Sequence, residues 1–141
     1  MPVFPSVEWF EAVKEVVNRD GAYRSLGTVD ASVGVKIGDR AFVIAFEAFE
    51  CASVEETDDD GLHDVDFYLQ MDPEEWFDLI RNIRSNSGAD ASHTLNNLDL
   101  TSEQGIVRSR DELRRSAFLR FHLSLQSFFD ASATVETTFA S

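Results

Sequence analysis

Residues 65–83 read VDFYLQMDPEEWFDLIRNI, and their pattern changes halfway. Val65, Phe67, Leu69 and Met71 alternate with Asp66, Tyr68 and Gln70, the two-residue period of a half-buried strand. Asp72 is placed to cap a helix, Pro73 takes the first helical position, and Glu75 stands three residues after the cap. Trp76, Leu79, Ile80 and Ile83 then recur at helical spacing, so the helix can lay them on the sheet. A strand running through a cap into an amphipathic helix makes this a chain of packed sheet and helices.

The segments before it extend the sheet. From 28 to 37, Val29, Ala31, Val33, Val35 and Ile37 alternate with Thr28, Asp30, Ser32, Gly34 and Lys36. Gly38-Asp39 is a two-residue hairpin turn, and 40–47 returns as the partner strand. Closing Ile37 on Arg40 sets Phe42 opposite Val35, Ile44 opposite Val33 and Phe46 opposite Ala31. A slip of one residue would turn three large side chains to the wrong face. A third strand is expected at 49–55 with Phe49 and Cys51 inward, then an acidic turn at 55–61. Sequential hairpins need no crossover helix, so the expectation is an antiparallel meander.

At the N-terminal side, Ser6 caps a first helix carrying Trp9, Phe10, Val13 and Val17, and Asn18-Arg19-Asp20-Gly21 stops it, with Gly21 suited to the left-handed position. After Ile83 come a loop at 84–92, a short helix at 93–98 and a short strand at 105–107. Ser109 and Glu112 form a second capping box for a long last helix carrying Leu113, Ala117, Phe121, Leu125 and Phe128, flanked by Phe118 and Phe129. The expected fold is α+β: an antiparallel sheet of about five strands with one face covered by helices. At 141 residues it forms one domain, 1–141, with 131–141 as a flexible tail.

Composition narrows the function. Net charge is −14, and ten arginines accompany only two lysines, Lys14 and Lys36. A nucleic-acid surface is disfavoured, because that affinity comes largely from cationic contacts. An anionic bilayer would repel the chain as a whole, and no apolar run approaches spanning length, so stable membrane insertion is not expected. One cysteine, Cys51, allows no intrachain disulfide, and no secretory signal is visible, which fits the cytoplasm. Twelve Phe, two Trp and two Tyr either fill the core or leave room for a greasy guest, and composition does not choose.

The order of elements resembles the sterol carrier protein 2 family. Trp9-Phe10 and Asn18-Arg19-Asp20 followed by Tyr23 look like its first helix and exit turn. Asp66-Phe67-Tyr68-Leu69 and Pro73-Glu74-Glu75-Trp76 look like its aspartate, aromatic strand, proline and Trp helix. The likeness spans roughly 4–125. After Ile83 the chain departs from the family pattern, matching it at Gly105 and the apolar pair that follows, which leaves ligand choice open. The resemblance implies a lipid-binding module that holds a fatty acid, acyl-CoA or sterol between sheet and helices.

No catalytic motif is present. His63, His93 and His122 are dispersed, and the acidic turn lacks the bidentate glutamate of a calcium loop, so neither a cofactor nor a metal is expected. The reading is therefore a non-enzymatic binding module for a hydrophobic molecule. Its expected lining is Phe42, Ile44, Phe67, Trp76, Ile80, Leu95, Phe118, Phe121, Leu125 and Phe128. Arg114 and Arg115 are either a solvated helix face or contacts for a ligand anion at the cavity mouth. The rival reading is an accessory subunit with a self-filled core, acting through an enzyme partner or a homodimer. Its motive is the incompletely polar outer sheet face at Ala41, Val43, Ala45 and Tyr68.

Overall fold

The computed structural model describes residues 3–21, 30–47, 50–101, 105–109 and 112–139. The expected strand positions Val29 and Phe49 lie outside the described residues. The elements are β1 (Val3–Phe4), α1 (Val7–Asn18), β2 (Ala31–Ile37), β3 (Arg40–Glu47), β4 (Glu50–Thr57), a 3-10 turn (Gly61–His63), β5 (Phe67–Met71) and α2 (Pro73–Asn86). They continue with α3 (Leu95–Thr101), β6 (Val107–Arg108), α4 (Glu112–Arg115), α5 (Ala117–Asp130), a second 3-10 turn (Ala131–Thr134) and β7 (Thr138–Phe139). The fold is α+β, with a five-stranded sheet in the order β4-β3-β2-β5-β6.

The β2–β3 hairpin has the expected register. Ala31 pairs with Phe46, Val33 with Ile44 and Val35 with Phe42, and Gly38 takes φ +60° in the turn. Strand β4 runs on through Glu55, Glu56 and Thr57, where a turn was expected. Arg40 explains this: its Nε and Nη2 donate to Glu56 Oε2 and Oε1, each at 3.0 Å, so the edge strand holds its acid in register.

The meander expectation fails at β5. That strand does not fold back beside β4; it pairs in parallel with β2, Val33 against Phe67 and Val35 against Leu69. The three other pairings in this sheet are antiparallel. A meander would have left the β2 edge open, with its backbone groups unpaired beside the core. Residues 58–66 instead strap across the outer face of the sheet. Leu62 of the strap is 5% exposed and lies over Gly34. A Cβ at Gly34 would stand 2.5 Å from Leu62 Cδ2 and 2.6 Å from Tyr68 Cβ, so only glycine admits the strap. Asp66 pins its end: the Asp66 N–H donates to Ser32 O at 2.9 Å, and the Ser32 N–H donates to Asp66 Oδ2 at 2.9 Å. The outer patch named above is thereby partly covered, and Ala41 is only 2% exposed.

Helices α1, α2 and α5 cover the other face. Ser6 Oγ accepts from the Trp9 N–H at 3.1 Å, as its capping position predicts. α1 ends on Arg19 in the right-handed region, not on Gly21. Asn18 has a different task from a stop signal. Its amide exchanges two hydrogen bonds with the Cys51 backbone, at 3.0 and 2.8 Å, which satisfies part of edge strand β4. α2 carries the predicted capping box between Asp72 and Glu75. It runs past Ile83 to Asn86, where Ser87 adopts φ +58° and closes it.

The long last helix is interrupted. α4 ends at Arg115 and α5 begins at Ala117. Ser109 Oγ donates to Asp66 O at 2.8 Å, so its hydroxyl ties the chain to the strap. Leu113 is 82% exposed, against expectation. Leu113 lies on α4, on the far side of the break at Ser116, so the helical phase of the buried stripe on α5 does not extend to it.

Residues 131–139 of the expected flexible tail pack against the rest of the fold. β7 pairs in parallel with β1, Val3 against Thr138 and Phe4 against Phe139. Ser132 and Val135 are buried, and Phe139 stacks edge-on to Phe77 at 5.4 Å. The Trp9 Nε1–H donates to Thr137 Oγ1 at 3.0 Å, and Arg84 donates to Val135 O. A segment of mostly small and polar residues is thus held by contacts from α1 and α2.

Candidate functional site

The ten residues expected to line a cavity come together as one apolar layer between the sheet and α1, α2 and α5. Each is at most 3% exposed, and all belong to a single core cluster. β3 contributes Phe42 and Ile44, β5 contributes Phe67, α2 contributes Trp76 and Ile80, and α3 contributes Leu95. α5 supplies Phe118, Phe121, Leu125 and Phe128. The rings meet mostly edge to face: Phe67 with Phe118 at 5.7 Å, and Phe128 with Phe129 at 5.5 Å. Trp76 packs on Phe129 at 5.6 Å, and its Nε1–H donates to Lys36 O at 2.9 Å.

Among the described residues two clefts border this layer, and none of the ten residues lines either of these. The larger, about 500 Å³, lies at one end of the β2–β3 hairpin, lined by Asp30, Ala31, Ser32, Ala45, Phe46, Glu47 and Asp66. Its apolar floor is Phe46. That ring stands 4.9 Å from Phe121 and 5.5 Å from Phe128, so one side chain separates the cleft from the buried layer. The sequence reading did not name Phe46 as a site residue. The signal was present in the register: a large ring faces Ala31, whose small side chain leaves space beside it. Beside it the β3–β4 register shifts, Ala45 facing Ser53 and Phe46 facing Cys51, an irregularity that no local residue pattern announces.

The second cleft, about 260 Å³, is lined by Met71, Glu74, Glu75, Asp78, Leu79, His93 and Leu98. His93 bridges two carboxylates here, Nε2 to Asp78 Oδ2 and Nδ1 to Asp90 Oδ1, both at 2.8 Å. Hydrogen bonding to Asp90 raises its pKa above the usual 6.5, with burial opposing and Asp78 reinforcing. The hydrogen bonds from His93, then Asn82 and Ser92, hold the Asp90 carboxyl well below the usual carboxylate range. A ring with both nitrogens committed to carboxylates favours its charged form and is poorly suited to act as a base. Sequence reading missed this group because Asp78 and His93 are fifteen residues apart and meet only through the fold.

This arrangement makes stability depend on pH. A raised folded-state pKa means the His93 contribution is complete below its unfolded value and fades as pH rises through the folded one. From about pH 6 to 8.5, across the ordinary histidine range and above it, wild type should therefore lose more stability than His93→Gln. Urea midpoints at several pH values measure it; parallel curves for the two proteins would refute it.

Arg114 and Arg115 lie on α4, each with a partner inside the fold. Arg114 Nη1 donates to Val65 O at 3.4 Å, and Arg115 Nη2 meets Asp99 Oδ2 at 3.4 Å. Asp99 Oδ1 also accepts from the Ile106 and Val107 N–H groups, at 2.8 and 3.2 Å, so Asp99 on α3 links Arg115 to the start of β6. Cys51 is buried. Among the described residues, no group of three or more His, Cys, Asp or Glu is placed to hold a metal ion. No described helix is long and apolar enough to cross a membrane.

The fold has a counterpart among solved structures. The chain is similar to the solution structure of the conserved hypothetical protein TT1886 from Thermus thermophilus, for which a sterol carrier protein role has been suggested. The TM-score is 0.65 at 16% identity, covering 98% of this chain and 92% of that one. At that identity the likeness is one of fold. No family model matches the chain, and the comparison with curated proteins gives no match.

Proposed function

We propose that the protein is a non-catalytic cytoplasmic module that binds one hydrophobic molecule, a fatty acyl chain, acyl-CoA or sterol, between its sheet and helices. The observation that carries this reading is the position of Phe46, between an open cleft and an inner layer made largely of Phe and Trp. The correspondence of fold with TT1886 over most of both chains supports it. A turn of the Phe46 ring would join the cleft to Phe121, Leu125 and Phe128. Apolar burial at about 25 cal/mol per Å² would supply the affinity.

Native mass spectrometry after gentle purification, together with displacement of a fluorescent fatty acid, tests the reading. One lipid bound per chain is expected, with Phe46→Trp reporting its arrival by fluorescence. Failure to bind any fatty acid, acyl-CoA or sterol would overturn it. In this reading Arg114 and Arg115 exchange their partners for a ligand anion, so charge reversal at both should weaken acyl-CoA binding and spare a neutral sterol.

A second reading has its own support. All ten proposed lining residues are packed against one another with almost no exposure, as in a core that needs no guest. The protein would then act as an accessory subunit through an enzyme partner or a second copy. A tight, lipid-free protein that forms a dimer or captures a partner enzyme would favour this reading over the first.

A further inference from the structure

We propose that the outer face of α4 and α5 docks on an anionic lipid bilayer. Five large hydrophobic side chains are exposed among the described residues, and three of them are here: Leu113 at 82%, Leu119 at 65% and Leu123 at 65%. Leu119 and Leu123 are one helical turn apart, so they share a face of α5. An isolated exposed leucine means little, but a group on one helical surface asks for a covering partner.

Charge identifies the partner. Residues 113–129 contain Arg114, Arg115 and Arg120 and no Asp or Glu, the longest acid-free stretch in a chain with 26 acidic residues. Arg120 is exposed directly beside Leu119, its Nη1 reaching back to Ser116 Oγ at 3.4 Å. Leucines projecting from a helix beside arginines match the boundary between lipid headgroups and acyl chains, where apolar burial and attraction to anionic lipid act together. A helix of 14 residues lying flat would present this face over about 21 Å.

The net charge of −14 opposes binding at long range without deciding it. The acidic turn Asp58–Asp60 begins the strap, on the opposite face of the sheet from α5. Screening over roughly 8 Å at physiological salt hides such distant charge, while the face in contact keeps its local interaction. Leu119, Leu123 and Arg120 do not line the Phe46 cleft and have no part in the proposed ligand contacts, so substitutions at these three test docking apart from ligand binding.

Vesicle co-sedimentation with the full chain tests it. Vesicles of phosphatidylcholine with about one third phosphatidylglycerol should bind several-fold more protein than phosphatidylcholine alone, and about 0.5 M salt should reduce the difference. Leu119→Ser with Leu123→Ser should lower partitioning about tenfold, with an unchanged thermal midpoint because both sites are exposed. Arg120→Glu should lower binding to the anionic vesicles only. Equal binding to both vesicle types, no binding to either, or a stable dimer that Leu119→Ser with Leu123→Ser dissociates would overturn the proposal. The last outcome would assign the face to a second copy of the chain.

Discussion

Trp76→Ala should cost about 3–5 kcal/mol of folding stability, the range for truncating a large buried aromatic. Trp76 is 0% exposed and sits where α2, the end of β2 and α5 converge. Two losses combine. The indole's contact with Phe129 becomes a void that the rigid sheet below cannot collapse to fill. The Lys36 carbonyl also loses its buried donor, since alanine offers none. Trp76→Phe separates the two, because it restores most of the volume and none of the hydrogen bond. Its cost should be about 1–2 kcal/mol. Urea denaturation with a constant slope measures both. A Trp76→Ala loss below about 1 kcal/mol would mean that this corner is loosely packed, as an open ligand cavity would leave it.

Ending the chain after Asp130 should be nearly as damaging. The segment beyond it buries Val135 at 7% exposure and Ser132 at 0%, and lays Phe139 between Phe4 and Phe77. Its loss also removes the acceptors for the Trp9 indole and Arg84. Taking about 1.5–3 kcal/mol for each large buried side chain, the truncated protein should lose about 3–5 kcal/mol and melt roughly 10 °C lower. Differential scanning calorimetry reads this directly. A midpoint within about 2 °C of the full chain would show that the segment frays, as its composition alone suggests.

That contrast shows which parts of this fold local sequence carries. The register of Ala31, Val33 and Val35 against Phe46, Ile44 and Phe42 was legible because a tight turn and an alternating pattern agree. The Asp72–Glu75 cap was legible for the same reason, since its residues act within one helical turn of each other. The place of β5 was not. Its alternation says strand and which face is inward, but not which neighbour accepts it, and hairpin and parallel pairing bury the same residues. The information lies in Gly34 and Leu62, which are far apart in the chain and meaningful only once they touch. The candidate site divides similarly. Composition and periodicity located the ten residues of the inner layer. The cleft lies where the open end of the β2–β3 hairpin meets Asp66, and the His93 bridge forms because α2 passes the 90–93 turn. Those are results of packing, and the short tail, poor in apolar residues, hid its anchoring because its partners are on α1 and α2.

The strap at 58–66 also has a kinetic meaning. β2 and β3 join through a two-residue turn and can pair early, whereas β5 must wait until that hairpin presents an edge with Gly34 in place. Seating β5 closes a long loop, from Val33 to Phe67, which belongs late on the folding path. Contacts made by Leu62 and Asp66 are then largely absent from the transition state. They act as a latch on the finished protein: weakening them should hasten unfolding while leaving the folding rate almost untouched. The glycine under the strap thus governs how long the native sheet persists more than how quickly it forms.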